Sequence, residues 1–343
     1  MSAVDLATGT MKIGELKLRG GAVLPDAEIA YATAGTLAAD RGNAVLVTHG
    51  YTSSHLFIGR AGPAASEGSW ARMVGPGAAI DTDRFFVVSS NMLGSSFGST
   101  APASTNPATG KPYGPDFPDL TVPDIVAGQR ALLGAMGIDR LVAVVGPSYG
   151  GFQALTWAIE YPDALRGISM SVSGLTAPGD TTVEKLRATF AQDPNWNGGH
   201  YYDRGGISAT MTRLREQTLL DYGVDESLRG RFPDQASIDA ELSRQARQWA
   251  ESFDANSMLA LAIAMRSYDA RPLLHRVKAR VQFVLSRTDK LFPPSIAPAA
   301  MAAFQAAGVA AEYVEIDSAF GHHAAGTDWA KWGPDLKRFL EAL

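Results

Sequence analysis

The chain contains no cysteine in 343 residues. That absence excludes disulfides, thiolate nucleophiles, zinc–thiolate sites and cysteine-held iron–sulfur clusters. No apolar run approaches the roughly 18 residues of a membrane span. The opening stretch, MSAVDLATGTMKIGELKLRGG, lacks the basic start and apolar core of a secretory signal. Charge is sparse at 19%, with 35 acidic against 30 basic residues and a net charge of −5. No basic stripe is visible, so neither a nucleic-acid nor a membrane partner is expected. Glycine and proline, 35 and 19 residues, stay below the roughly 25–30% that marks low-complexity sequence. The apolar share of 46% is ordinary. These properties predict a cytoplasmic protein large enough to bury a substantial core.

What the sequence does have is alternation. Apolar, β-branched runs at 44–48, 85–90, 141–145, 168–172, 281–286 and 311–316 read as strands, most of them short and continuously apolar as expected of strands covered on both faces. Helix-like spacing fills 122–136, 149–160, 295–307 and 329–343. Residues 12–34 read as an antiparallel pair with Pro25-Asp26 as its turn. The pattern predicts an α/β fold with a mostly parallel, eight-stranded sheet and helices on both faces. One interval breaks the rhythm: 174–276 has helical candidates at 182–192, 207–220, 237–253 and 256–268 and no convincing strand. It reads as a helical cap inserted into a core formed by 1–173 and 277–343.

The chemistry is concentrated in LVAVVGPSYGGFQALTWAIEYPD, a strand, then Gly146-Pro147-Ser148-Tyr149-Gly150, then a helix. G-x-S-x-G between a strand and a helix is a nucleophile elbow: a tight, strained turn that lifts the serine hydroxyl above the sheet. A Cβ at either flanking glycine would collide with a neighbouring element. The helix N-terminus beneath the serine favours negative charge.

A serine hydroxyl needs an adjacent base to attack at neutral pH. In this architecture the partners follow in the order serine, acid, histidine. Of six histidines, only His322 and His323 lie beyond the last predicted strand, in SAFGHHAAG. Asp289 is the one carboxylate in the loop after 281–286. His322 is the expected base, with His323 at the pocket wall. Two backbone N–H groups should form the oxyanion hole, those of Tyr149 and Tyr51, the latter in the loop His49-Gly50-Tyr51-Thr52. His49 reads as structural. Phe57, Phe97, Trp196 and Met211 are further candidates for the pocket wall. No metal or cofactor is called for.

Several longer stretches carry a family resemblance. They are GPGAAIDTDRFFVVSSNMLGSSFGSTAPASTNPATGKPYGPDFPDLTVPDIV, GPSYGGFQALTWAIEYPD, DPNWNGGHYY, SRTDKLFPP and FGHH. In these the chain resembles the homoserine O-acetyltransferase family of α/β-hydrolases over nearly its whole length. The resemblance implies Ser148 as nucleophile, Asp289 as acid and His322 as base, with a helical cap, a tunnel to the serine and a homodimer. It also implies an aspartate after the catalytic histidine, to hold the acceptor's ammonium, and an arginine in the cap for its carboxylate. Here the first position is His323, and the second aligns with Met211, with Arg213 and Arg215 close by. These departures favour a serine hydrolase of short-chain acetyl esters, acting on a small-molecule ester. The alternative is an acyl-CoA-dependent O-acyltransferase with a small hydroxyl acceptor.

Overall fold

The computed structural model describes residues 4–59, 68–177 and 182–343. Residues 1–3 of the opening stretch and 178–181 of the predicted cap lie outside the described residues. The sheet strands are β1 (Ala7–Lys17), β2 (Val23–Ala34), β3 (Ala44–Thr48), β4 (Phe86–Ser90), β5 (Leu141–Pro147), β6 (Leu165–Ser171), β7 (Arg280–Ser286) and β8 (Ala311–Ile316). Their order is β1-β2-β4-β3-β5-β6-β7-β8. β1–β2 and β2–β4 pair antiparallel; every later pair is parallel. The α/β reading holds. The central strands β3 and β5 are buried along their whole length, which is why they read as unbroken apolar runs and not as alternating ones.

The predicted turn at Pro25-Asp26 is corrected. The chain reverses at Leu18–Ala22, where Leu18 N–H donates to the Ala22 carbonyl (2.8 Å) and Gly21 takes φ 89°. Pro25 and Asp26 lie inside β2. Gly14 pairs with Ala27 and Leu16 with Leu24, so both residues stand opposite Glu15 alone. That is a bulge, one of the few places a strand tolerates proline.

Helices α1 (Val122–Ala135) and α2 (Tyr149–Glu160) pack on the same apolar core. The start of α1 is fixed by a capping box: Thr121 accepts from Asp124 N–H while the Asp124 carboxylate accepts from Thr121 N–H. Between β6 and β7 the described residues form α3 (Thr182–Phe190), α4 (Ser208–Asp221), α5 (Val224–Leu228), α6 (Gln235–Ala250) and α7 (Ala255–Met265). A single bridge between Thr176 and Asp269 ties the two ends of this insertion together. After β7 come α8 (Ala297–Ala306), α9 (Ala324–Thr327) and α10 (Gly333–Glu341). Among the described residues no helix is long and apolar enough to cross a membrane.

Candidate active site

Ser148 links β5 directly to α2 with φ 54° and ψ −120°, the strained geometry expected of an elbow. Its flanks must be bare. A Cβ on Gly146 would run into the Thr48 side chain, and one on Gly150 would lie 2.5 Å from the Thr48 carbonyl. Thr48, the last residue of β3, also donates from Oγ1 to the Gly150 carbonyl (2.9 Å). β3 therefore locks the first turn of α2. Tyr149 opens that helix, so its N–H is one of those with no partner four residues back.

The loop after β3 is held from inside. Met92 N–H donates to His49 Nε2 (3.1 Å), which makes that nitrogen an acceptor and leaves the ring proton on Nδ1, 2.8 Å from the Gly50 carbonyl. His49 is fully buried and its pKa is pushed down to about 3, chiefly by desolvation. It is a neutral structural ring. The two tyrosines expected to frame the oxyanion hole meet: the rings of Tyr51 and Tyr149 stack at 6.1 Å and 8°. Both hydroxyls donate to carbonyls of α7, Tyr51 to Met258 (2.6 Å) and Tyr149 to Leu261 (3.2 Å). Nothing local in the sequence signals these contacts across more than 100 residues.

Asp289 and His322 come together, 2.8 Å apart through Oδ2 and Nδ1, with both side chains almost wholly buried. The other carboxylate oxygen accepts from Leu291 N–H (2.8 Å) and Phe292 N–H (3.3 Å). His322 sits between two rings, Tyr222 at 4.9 Å and Phe292 at 5.9 Å. Phe292 also touches Phe152 on α2 at 5.9 Å, so one aromatic contact runs from the acid–histidine pair to the helix that begins at the elbow. His323 turns elsewhere. Its Nδ1 shares a hydrogen bond with Thr327 Oγ1 (2.8 Å). Desolvation, then the charges of Arg215 and His322, lower its pKa to about 4.

Of the other pocket candidates, Trp196 and Met211 belong to one apolar cluster, with Phe97 packed against it, and Phe57 belongs to another. Phe57 packs against Trp70 and His49 on the far side of the sheet. Trp196 lies between Phe190 and Tyr201 within the insertion. Phe97, in the left-handed region at φ 76°, meets Phe253 edge-on. Met211 is buried in the main core.

One residue near the site was not singled out from the sequence as a site residue. On α4 the buried stripe is Met211, Arg215 and Leu219, each one turn apart, and it continues to Tyr222. Arg215 is 1% exposed. It donates to Thr52 Oγ1 (2.9 Å), in the loop that carries Tyr51. Its guanidinium lies over the rings of Trp249 (5.2 Å) and Tyr222 (5.9 Å), the latter packed on His322. The helix thus brings a buried cation to the site, although the alignment had placed Met211 there. An arginine in the middle of an apolar helical stripe was the available signal, since such a charge is rarely buried without a role.

Three histidines held neutral give a testable acid sensitivity. His49, His55 and His323 are lowered from 6.5 to about 3, 4 and 4, mainly by desolvation. The unfolded chain binds these protons below about pH 6.5 and the folded chain refuses them until about pH 4 or lower. Stability is therefore full above about 6.5 and falls as pH drops towards 4, by up to about 1.4 kcal/mol per pH unit for the buried rings of His49 and His55 and by less for the half-buried His323. Urea midpoints between pH 7 and 4.5 should decline steeply. A flat profile contradicts the neutral-histidine assignment.

Comparison with known proteins agrees with the fold. Residues 43–327 match the α/β hydrolase fold family. The chain is 39% identical to a homoserine O-acetyltransferase of Symbiobacterium thermophilum, covering 96% of this chain and 92% of the relative. It is 38% identical to a homoserine O-succinyltransferase of Methylibium petroleiphilum, covering 90% and 87%. Among solved structures, an esterase superposes with a TM-score of 0.87 at 26% identity, covering 98% of this chain and all of that one. With its sheet order and its serine elbow, the chain belongs to the homoserine O-acetyltransferase family of α/β-hydrolase-fold enzymes.

Proposed function

We propose that the protein is an O-acyltransferase that works through an acyl-serine, moving a short acyl group from a thioester such as acetyl-CoA to the hydroxyl of a small acceptor bearing a carboxylate. The observation that carries this reading is Arg215, a buried guanidinium beside both the Tyr51 loop and the ring packed on His322. A planar fork of donors fits a carboxylate in two-point contact. The relatives of highest identity reported above, named as homoserine acyltransferases, support transfer over the simple ester hydrolysis that His323 and Met211 had suggested.

In this mechanism His322 takes the Ser148 proton as the hydroxyl attacks the donor carbonyl. Asp289 holds the Nδ1–H tautomer and stabilises the imidazolium. The Tyr149 and Tyr51 N–H groups bind the oxyanion. Collapse expels the thiol, which leaves with the proton from His322. The acceptor hydroxyl, deprotonated by the same ring, then attacks the acyl-Ser148 carbonyl; the acyl–Oγ bond breaks, His322 returns the proton to Ser148 Oγ, and the acceptor leaves as its ester. Residues 174–276 act as a cap. In this role α4 presents Arg215, and α7 steadies the two tyrosines through its carbonyls.

Hydrolysis is the second reading, favoured by one observation: the position after His322 is a neutral imidazole, which cannot pair with an ammonium as a carboxylate would. The two readings share the acyl-enzyme and differ in what discharges it. The test is acetyl-CoA with homoserine, or with 4-hydroxybutyrate, which lacks the amino group. Both should accept the acyl group. Arg215→Leu should raise the acceptor KM by about 100-fold, the scale of removing one partner of a buried charge pair. Arg215→Lys, which keeps the charge and loses the fork, should raise it about 10-fold. Hydrolysis of an uncharged aryl acetate should stay within a few fold in both variants. Rapid ester cleavage with no transfer to either acceptor overturns the transferase reading in favour of the esterase.

A further inference from the structure

The backbone of Ser148 is gripped at both of its polar groups by the end of one strand. Its N–H donates to the Ser171 carbonyl, the last residue of β6 (2.8 Å). Two residues later, Ser173 Oγ donates to the Ser148 carbonyl (2.8 Å). That carbonyl also accepts from Gly151 N–H within the first helical turn (2.9 Å).

Between the two contacts, Val172 has φ 44°. A β-branched residue in the left-handed region is a true outlier, kept only where its surroundings over-determine it. Its N–H still donates to Val284 on β7 (2.7 Å), so sheet pairing persists up to the residue at which the chain turns. An extended residue there would carry the chain onward along the strand, away from the elbow. The left-handed turn instead returns the side chain of residue 173 to residue 148. Room has been left for it: a Cβ on Gly151 would run into Ser173 Oγ and Cβ. Ser173 is fully buried.

We infer that Ser173 is a positioning residue for the oxyanion hole, acting through the Ser148 carbonyl. In a trans peptide the carbonyl of residue 148 and the N–H of residue 149 lie in one plane and point in opposite directions. Anchoring the carbonyl therefore aims the Tyr149 N–H. The second donor peptide is held in the same manner, with the Gly50 carbonyl fixed by His49 Nδ1 and the Tyr51 N–H on the opposite side. Donors held rigid before charge develops need no reorganisation as it forms. The inference rests on the proposed acyl-serine mechanism, in which these two N–H groups bind the oxyanion.

The test is Ser173→Ala, assayed with a chromogenic acetate ester, with active sites counted by fluorophosphonate titration so that misfolded protein is discounted. The kcat per titrated site should fall about 10- to 100-fold, the scale of misplacing one donor. KM should stay within about twofold. The inhibition constant of an aryl trifluoromethyl ketone, which forms a tetrahedral adduct, should rise by the same factor as kcat/KM falls. Unchanged kcat per site with unchanged ketone affinity overturns the inference, as does a loss confined to the number of titratable sites. If Ser148→Ala is inactive while Ser173→Ala behaves as wild type, only the positioning role fails. If wild-type Ser148 reacts with neither reagent, the acyl-serine mechanism fails and takes this inference with it.

Discussion

His322→Ala should lower kcat/KM by about 10⁶-fold for any acyl donor, while His323→Ala should change it by less than about tenfold. The two rings are adjacent in sequence and differ in every contact that matters. His322 has Asp289 on Nδ1 and two aromatic rings on its faces. His323 spends its Nδ1 on Thr327. In the proposed mechanism His322 passes a proton to and from the serine with its other nitrogen while the Asp289 carboxylate steadies the charge, and His323 has a hydroxyl, not a carboxylate, on its Nδ1. Fluorophosphonate labelling of Ser148 should vanish in the first variant and persist in the second. The reverse pattern contradicts the assignment. If His322 and Ser148 act as a unit, as proposed, Ser148→Ala should be no worse than His322→Ala, and the double variant no worse than either.

Asp289→Asn should cost about 10⁴-fold in kcat with little change in KM. The reason lies in the other half of the carboxylate. Its Oδ1 accepts from the N–H groups of Leu291 and Phe292. In an asparagine the amide oxygen must take that place, because an NH₂ cannot accept from two N–H donors. The NH₂ then faces His322 Nδ1 and forces it to become an acceptor. The ring proton moves to Nε2, where it blocks uptake of the serine proton. Raising the pH cannot repair a wrong tautomer, so the deficit should persist across the neutral range. A loss below about tenfold would mean that Asp289 is not oriented towards His322 during turnover.

The degree to which this site was legible in sequence differs from residue to residue, for physical reasons. Ser148, Asp289 and His322 could be found because each follows a strand recognisable in the sequence, the first buried along its whole length and the last only half-buried at the sheet edge, and strand order dictates which end of the sheet they share. The order of two adjacent histidines is not a periodicity signal; it follows from a short helical turn over Gly321–His323 that faces one ring inwards. Pro25-Asp26 looked like a turn because local chemistry cannot distinguish a turn from a bulge opposite Glu15. α4 was legible as a helix at 207–220, but which residue of its narrow buried stripe meets the site was not. Met211 and Arg215 both lie on that stripe, and only the position of α4 over the Tyr51 loop decides which of them meets the site. The contacts of α7 with the two tyrosines, like that of Ser173 with Ser148, are made between distant segments and leave no trace in spacing.

Mass spectrometry of the intact protein, followed by peptide mapping, gives the most direct test of acyl transfer through Ser148. Protein mixed with acetyl-CoA and quenched within milliseconds should carry one acetyl group on the peptide containing Ser148. A hydroxy-carboxylate acceptor should discharge it faster than buffer alone, in proportion to acceptor concentration until Arg215 is saturated. An adduct on any other residue, or a discharge rate indifferent to the acceptor, would contradict the account.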